Sequence, residues 1–327
     1  KLTTGAKVTA GVLGAALLGG VLLVPSLFTS DDPATGNRTT LGSTAGTTAA
    51  PTEEAAATTP PLDPKSFQFS LDEANRQITA GLAALTKATT PAATAKAASA
   101  LAQTVGTQTS TLSGLTAPAE ATTAYQDVVS ALSALEEELN SVSGSATSQD
   151  VCTGGAANAV LSRADAAADL RTAISGLAAA DPAAKYKFGS FLPAVTKDQN
   201  RRKANATYLK RVTGGSGELK VDNGNAGDVV IKLVKSGSKK PSVTVYIRGK
   251  KKVTTGRIKD GTYQVFVSSG TDWDGKRFTR NCGFTKFDSS FKFTTTSRQY
   301  TIWQLSLKTV LGGNATSTPV NPEAFPE

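Results

Sequence analysis

The sequence lacks histidine and methionine, contains only two cysteines among its 327 residues, and is 6% aromatic. Without histidine, the chain has no Ser-His-Asp or Cys-His catalytic set, no imidazole zinc ligand and no imidazole pH switch. Because the first residue, Lys1, is not methionine, we expect further sequence before it. We therefore expect a non-enzymatic protein that uses no cofactor and no metal.

Residues 11–28, GVLGAALLGGVLLVPSLF, form an apolar run without a charged side chain that follows Lys1 and Lys7 and precedes Asp31. Eighteen residues is near the lower limit for a helix that crosses a bilayer core of about 30 Å, and the preceding lysines predict a cytoplasmic N-terminus. We expect a single-pass transmembrane anchor within residues 1–30, with the later domains on the extracytoplasmic side of the cell membrane. A cleaved signal peptide is the alternative.

The formal net charge of +9 is unevenly distributed. Residues 31–185 carry 8 basic and 16 acidic side chains, whereas residues 186–327 carry 25 basic and 10 acidic ones. A basic outer domain is attracted to anionic cell-wall glycans or phospholipid headgroups. The alternative is that the charge keeps the domain soluble and protects its sheet edges. Nucleic acid is disfavoured, because no base-stacking motif or recognition helix is found among the lysines.

Residues 31–65 consist largely of Thr, Ala, Pro, Gly and Ser and contain few bulky apolar side chains. Such a segment buries too little surface to offset its conformational entropy. We expect a disordered Thr/Ala/Pro-rich stalk.

Apolar residues recur at helical spacing between residues 66 and 184. Ser70 and the glutamate three residues later form a capping box that predicts the start of the first helix. Pro91 and Pro118 predict the starts of the second and third helices, and a fourth is expected over about residues 153–177. We expect a small, Ala-rich antiparallel helical bundle.

Residues 185–213 form a connector that begins with three aromatic residues, which we expect to dock into the joint between the two domains. A basic run follows these aromatics, and a second basic run lies at a later turn. Together these cations form a candidate patch for an anionic partner: Arg201, Arg202, Lys203, Lys250, Lys251 and Lys252.

The apolar period changes to two over residues 214–310, in seven to nine short segments separated by turns. This pattern is typical of an antiparallel β-sandwich. Residues 311–327, which end in NPEAFPE, are expected to form a disordered tail. The predicted fold class is therefore α+β, with several domains.

Cys152 precedes the fourth predicted helix, and Cys282 lies in the predicted sandwich. In an oxidising compartment, an even number of cysteines favours a disulfide. A bridge between these two residues would join the bundle to the sandwich, while two free or intermolecular thiols are the alternative.

The best candidate for ligand recognition is the loop TDWDGKR at residues 271–277. A loop tryptophan can stack on a sugar while neighbouring carboxylates accept hydrogen bonds from its hydroxyls, whereas a tryptophan that caps the core is the structural alternative. A calcium site is not expected, because basic residues stand where oxygen ligands would be needed. The candidate ligand-binding residues are Asp272, Trp273, Asp274, Lys276 and Arg277.

The run VTVYIRGKKKVTTGRIKDGTYQVFVSSG, residues 243–270, resembles carboxypeptidase-regulatory-like and PEGA-type β-sandwich modules. The wider pattern, with FGSFLP, DGTY, DWDGKRFTR and CGFTKFD, resembles an uncharacterised group of actinobacterial membrane-anchored surface proteins. This resemblance implies a non-catalytic module of the cell envelope, and it transfers no functional residue.

These observations favour a non-enzymatic, membrane-anchored envelope protein whose sandwich binds an envelope component, above all a cell-wall glycan. The alternative is a docking factor for another protein machine, such as a secretion or contractile injection apparatus, with the bundle as the protein-binding part. A hydrolase that relies on carboxylates alone would need two buried acids facing one cleft.

Overall fold

The computed structural model describes residues 5–9, 60–308 and 315–327. Over these residues the chain is α+β, with five α-helices and two β-sheets. None of the described helices has the length and apolar character needed to cross a membrane. The predicted anchor segment 11–28, and the stalk as far as residue 59, lie outside the described residues.

The helices occupy the predicted bundle range, and neighbours along the chain pack against each other. Their bounds are α1 Pro64–Lys87, α2 Pro91–Ser113, α3 Thr122–Thr147, α4 Gly154–Arg163 and α5 Asp165–Ala180. Apolar side chains at the predicted spacing form the bundle core, and they include Leu71, Ile78, Leu101, Val105, Leu132 and Leu135.

Two helix predictions were wrong in detail. Helix α1 begins at Pro64, because the Asp63 carboxylate accepts hydrogen bonds from the main-chain N–H groups of Lys65 and Ser66. Ser70 therefore lies inside α1 and does not cap it. The predicted fourth helix is divided into α4 and α5 at Ala164, whose extended backbone (ψ 145°) interrupts the helical hydrogen bonds. This break lets α4 pack on α1 while α5 packs on α3.

The sequence predicts that the connector aromatics lie at the joint between the domains, but this prediction was wrong. Tyr186 and Phe191 are buried in the bundle core, and Phe188 packs against that core. The ring of Phe67 lies edge-on to Tyr186, with 5.0 Å between centroids. These aromatics therefore supply bulky side chains that the alanine-rich helices lack.

The β-strands form two sheets. Their bounds are β1 Gly5–Thr9, β2 Thr207–Arg211, β3 Gly217–Asn223, β4 Asp228–Lys235, β5 Pro241–Ile247, β6 Lys251–Ile258, β7 Gly261–Trp273, β8 Phe278–Phe287, β9 Phe291–Phe293, β10 Ile302–Ser306 and β11 Ser317–Pro319. One sheet has the order β1-β10-β3-β6, and the other has the order β11-β8-β7-β4-β5-β2, with β9 also paired to β7.

The two sheets enclose the sandwich core, as the period-two pattern predicts. On β4, Ile231 and Leu233 face this core while Val230 faces the outer side of the seven-stranded sheet. The sheets are not wholly antiparallel, because β10 pairs in parallel with both β3 and β1. A parallel pair needs a long connection, and here six strands, β4 to β9, separate β3 from β10 along the chain. Of these six, β6 returns to the sheet of β3 and β10, and the others belong to the opposite sheet.

Three assignments of the sequence-based division were also wrong. Residues 5–9, which fall in the predicted anchor range 1–30, form β1 and pair with β10 of the sandwich. A single membrane span at residues 11–28 would place β1 and β10 on opposite sides of the bilayer, so this pairing does not agree with the predicted cytoplasmic N-terminus.

Strand β2 lies inside the predicted connector and pairs with β5. Residues 315–327, assigned to a disordered tail, contain β11 and a short 3-10 helix, Pro322–Ala324. This segment is ordered because β11 pairs with the edge of β8 and because Ala315 and Phe325 are buried.

Candidate functional site

The joint between bundle and sandwich is built on β8. The main-chain N–H groups of Asn281 and Cys282 donate to the carbonyls of Asp150 and Gln149, and the N–H of Cys152 donates to the carbonyl of Thr279. The chain after α3 therefore lies beside β8 like a short additional strand. The Cys152–Cys282 disulfide closes this contact, with Cα atoms 6.3 Å apart, which confirms the pairing favoured by the sequence.

Trp273 is buried, with 4% of its surface exposed. Its ring packs edge-on against Phe278 at 5.0 Å and Tyr246 at 5.6 Å between centroids. These three residues belong to a cluster on the outer side of the seven-stranded sheet, which also includes Val230 and the disulfide. The candidate stacking role of Trp273 is therefore not supported by its position. The ring is structural, as the alternative proposed, but it fills this outer cluster and does not cap the sandwich core.

Asp272 is also buried, and its carboxylate is already engaged. Arg201 donates to it from the main-chain N–H and from two guanidinium nitrogens, at 2.7–2.9 Å, and the Thr279 hydroxyl donates at 2.7 Å. Burial alone would raise the pKa of Asp272, but these hydrogen bonds lower it to about 2. Asp272 therefore fixes the connector to β7 and is not a free acceptor for a ligand.

The remaining loop candidates differ in their surroundings. Asp274 closes the β7–β8 turn, since its carboxylate accepts from the main-chain N–H groups of Lys276 and Arg277, both at 2.8 Å. Arg277 donates to the carbonyl of Thr89, at the α1–α2 turn, and pairs with Glu327 at 3.3 Å. The side chain of Lys276 is exposed.

The candidate basic patch is not one continuous surface of free cations. Arg202, like Arg201, binds a buried carboxylate, in this case Asp228. Asp228 also accepts from the Tyr246 hydroxyl and from the N–H of Gly249 at 2.8 Å. Burial would raise the pKa of Asp228, but these hydrogen bonds lower it below its ordinary value, and burial beside this carboxylate raises the pKa of Tyr246.

The other patch lysines lie at the surface. Lys252 pairs with Asp222 at 3.0 Å, and the Lys250 ammonium donates to the carbonyl of Gly224 at 2.6 Å. Lys203 and Lys251 are exposed. The two arginines thus stabilise the fold, and the lysines are left as separate surface charges.

The outer side of the seven-stranded sheet carries a cleft of about 380 Å³. It lies between the α1–α2 turn, the β7–β8 turn and residues 322–327, with the sheet as its floor. Its apolar walls include Leu209, Trp273, Phe278, Phe284 and Phe325. Four basic side chains also line it: Lys210, Lys232, Lys276 and Arg277.

Sequence reasoning found only part of this cleft. Trp273, Lys276 and Arg277 were candidates, although Trp273 contributes to the wall as a buried side chain. Lys210 and Lys232 were missed because they stand at polar positions of alternating strands, where a lysine is ordinary. The contribution of the final segment was missed because a single phenylalanine gives no periodic signal.

A second, more polar pocket of about 430 Å³ lies at the joint, between the start of α4 and the connector. Two pairs of charged residues lie within its lining: Asp198 binds Arg280 at 3.0 Å, and Asp272 binds Arg201 at 2.7 Å. Asp198 also binds Arg163, which lies outside the lining, at 2.7 Å. Over the described part of the chain, no group of three or more Cys, Asp or Glu side chains is placed to hold a metal ion.

Comparison with family models, with curated proteins and with solved structures gave no match.

Proposed function

We propose that this protein is a non-enzymatic component of the cell envelope whose sandwich binds a cell-wall glycan in the cleft over the seven-stranded sheet. The observation that carries the proposal is the combination of rings and ammonium groups on one concave surface. The cleft volume of about 380 Å³ lies within the range of small-ligand sites.

The chemistry of the cleft favours an anionic glycan. The C–H faces of a sugar pack on apolar side chains such as Phe284, and its carboxylate or phosphate groups attract Lys210 and Lys276. Both lysines are exposed at the mouth of the cleft. The excess of basic residues after residue 186 adds attraction at longer range, which salt weakens.

The disulfide supports the proposed compartment. Disulfides persist in oxidising environments and are rare in the cytosol. Cys152 and Cys282 are both almost completely buried in the cluster behind the cleft, so the bond belongs to the fold. The bond therefore favours an extracytoplasmic position for the protein.

Co-sedimentation tests the proposal. The full chain in detergent is mixed with purified cell walls, either intact or stripped of their acidic polymers, and the bound fraction is measured at low and high salt. We expect retention on intact walls that falls on stripped walls and at high salt. Equal retention on both preparations would point to a neutral glycan, and no retention on either would contradict the proposal.

A docking factor for another protein machine is the second candidate, and one observation favours it. Phe69 on α1 is 73% exposed, whereas the other large apolar residues of the bundle helices are buried or partly buried. Single exposed apolar residues are common on protein surfaces, so this observation carries less weight than the cleft. The variant Phe69→Ser should leave wall retention unchanged, whereas in a docking factor it should reduce capture of the partner.

A further inference from the structure

Residues 315–327, here called the final segment, lie along the edge of the seven-stranded sheet. Strand β11 pairs antiparallel with Thr285–Phe287 of β8. The main-chain N–H of Val320 donates to the carbonyl of Phe284 at 2.9 Å, and the N–H of Asp288 donates to the carbonyl of Thr316 at 3.0 Å. The added strand therefore takes up main-chain hydrogen-bonding groups at the edge of β8. These main-chain bonds place little restriction on which side chains the added strand carries.

The final segment is anchored by one aromatic side chain. Phe325 is 8% exposed and lies edge-on to Phe284 and Phe266, at 5.2 and 5.7 Å between ring centroids. Phe266 and Phe284 belong to β7 and β8, and they are partly buried with the Phe325 ring packed against them. They therefore form a pocket that the incoming ring completes.

A partly buried cation, Lys232, completes the contact. The Lys232 ammonium donates to the carbonyl of Pro326 and lies 5.0 Å from the centroid of the Phe325 ring. Burial lowers the pKa of Lys232, and the nearby Glu327 carboxylate opposes this effect. Among the described residues, the hydrogen-bond acceptor of this lysine comes from the final segment.

We propose that the edge of β8, the Phe266–Phe284 pocket and Lys232 form a docking surface for an extended protein segment with an aromatic residue followed by proline and a carboxylate. The final segment, which ends in Phe-Pro-Glu, occupies this surface in cis and displays the chemistry that it accepts. Strand addition at an open sheet edge, with a side-chain pocket that gives specificity, is a recurrent mode of peptide recognition. This surface shares Lys232 and Phe284 with the inner wall of the glycan cleft, whereas Lys210 and Lys276 at the mouth of the cleft are not part of it.

The test uses the full chain with Phe325→Ala, which empties the pocket but leaves the sandwich side chains unchanged. A labelled peptide, ATSTPVNPEAFPE, is titrated with this variant and with the wild type, and fluorescence anisotropy is recorded. We expect binding to the variant at least about tenfold tighter, because in the wild type the tethered segment competes at a millimolar effective concentration.

Two controls locate the binding. The same peptide with alanine in place of its phenylalanine should bind the variant at least about tenfold more weakly, since it cannot fill the pocket. Adding Phe284→Ala to the variant should abolish the preference for the phenylalanine peptide. A concentration-dependent dimer of the wild type that Phe325→Ala abolishes would also support the proposal, with a second copy as the source of the segment.

The proposal is overturned if the Phe325→Ala protein, shown by circular dichroism to be folded, does not bind the peptide or binds both peptides equally. In that case the final segment is a fixed part of the fold. Neither result depends on wall retention, so failure of the glycan proposal would be seen separately.

Discussion

Cys152 and Cys282 are bonded with their Cα atoms 6.3 Å apart, although 130 residues separate them along the chain. The bond crosses from the end of the α3–α4 loop to β8, where main-chain hydrogen bonds already join the two parts. It therefore secures the position of the bundle beside the outer side of the seven-stranded sheet, where the cleft lies.

Removing this bond should destabilise the protein. For the double variant Cys152→Ala, Cys282→Ala we expect the free energy of unfolding to fall by about 4 to 5 kcal/mol, because a closed loop of this length restricts the unfolded chain. Guanidinium denaturation followed by circular dichroism measures the difference. Reduction of the wild type serves as the control and should shift the midpoint in the same direction. An unchanged midpoint would show that the bond adds nothing.

The ion pair of Asp272 and Arg201 should give a defined pH dependence. The pKa of Asp272 is lowered from an ordinary value of 3.8 to about 2, so the folded state favours the ionised form. Its contribution is present above pH 4 and is lost as pH falls towards 2. Between pH 5 and 2, we expect the wild type to lose roughly 2 kcal/mol that Asp272→Asn does not lose.

Denaturation titrations at a series of pH values measure that difference. Asp127→Asn, which removes an exposed carboxylate on α3, is the matched control and should follow the wild type. Parallel curves for Asp272→Asn and the wild type would contradict the assigned role of Asp272.

Gly154 and Gly155 offer a matched pair of adjacent substitutions. A Cβ atom on Gly154 would lie 1.7 Å from the Leu85 carbonyl oxygen at the end of α1, whereas a Cβ on Gly155 meets nothing within 4 Å. We expect Gly154→Ala to cost about 1 to 3 kcal/mol, and Gly155→Ala to be neutral or stabilising by less than about 1 kcal/mol. Thermal unfolding compares the two variants, and equal melting temperatures would refute the close contact of α1 with α4.

We expect the Trp273 side chain to stabilise the fold. The buried ring fills the cluster with Tyr246 and Phe278, so we expect Trp273→Ala to cost about 3 to 5 kcal/mol. Within the described residues, its indole N–H has no hydrogen-bond partner, and Trp273→Phe should therefore be tolerated better. Denaturation with intrinsic fluorescence from the remaining Trp303 tests this order. If Trp273→Ala were as stable as the wild type, the structural role would be contradicted and Trp273 would again be a candidate ligand-binding residue.

Much of the fold could be predicted because its signals are periodic. The spacing of Leu132, Leu135 and Leu139 indicates a helix, and the alternation of Val243, Val245 and Ile247 indicates a strand with one face in a core. The disulfide followed from counting cysteines. Each of these inferences uses a pattern that is local or depends on few residues.

The features of the fold and of the candidate site that the sequence did not predict depend on contacts between residues that are distant along the chain. Asp272 is four residues from Lys276, yet one is buried against Arg201 and the other is exposed, and nothing in the local sequence distinguishes them. Likewise, the order of the final segment depends on Phe266 and Phe284, which lie about 40 to 60 residues before Phe325. A loop residue can be assigned to a ligand site only when the elements packed against it are known.

The affinity of the full chain for acidic cell-wall polymer tests the central claim most directly, with the wild type compared with the double variant Lys210→Glu, Lys276→Glu. A matched variant, Lys220→Glu, Lys292→Glu, makes the same change in net charge at exposed sites outside the cleft. We expect the cleft variant to bind at least about tenfold more weakly than the wild type, and the matched variant to lose less than about threefold, because close contacts outweigh general attraction. Equal losses in both variants, or none in either, would contradict binding in the cleft.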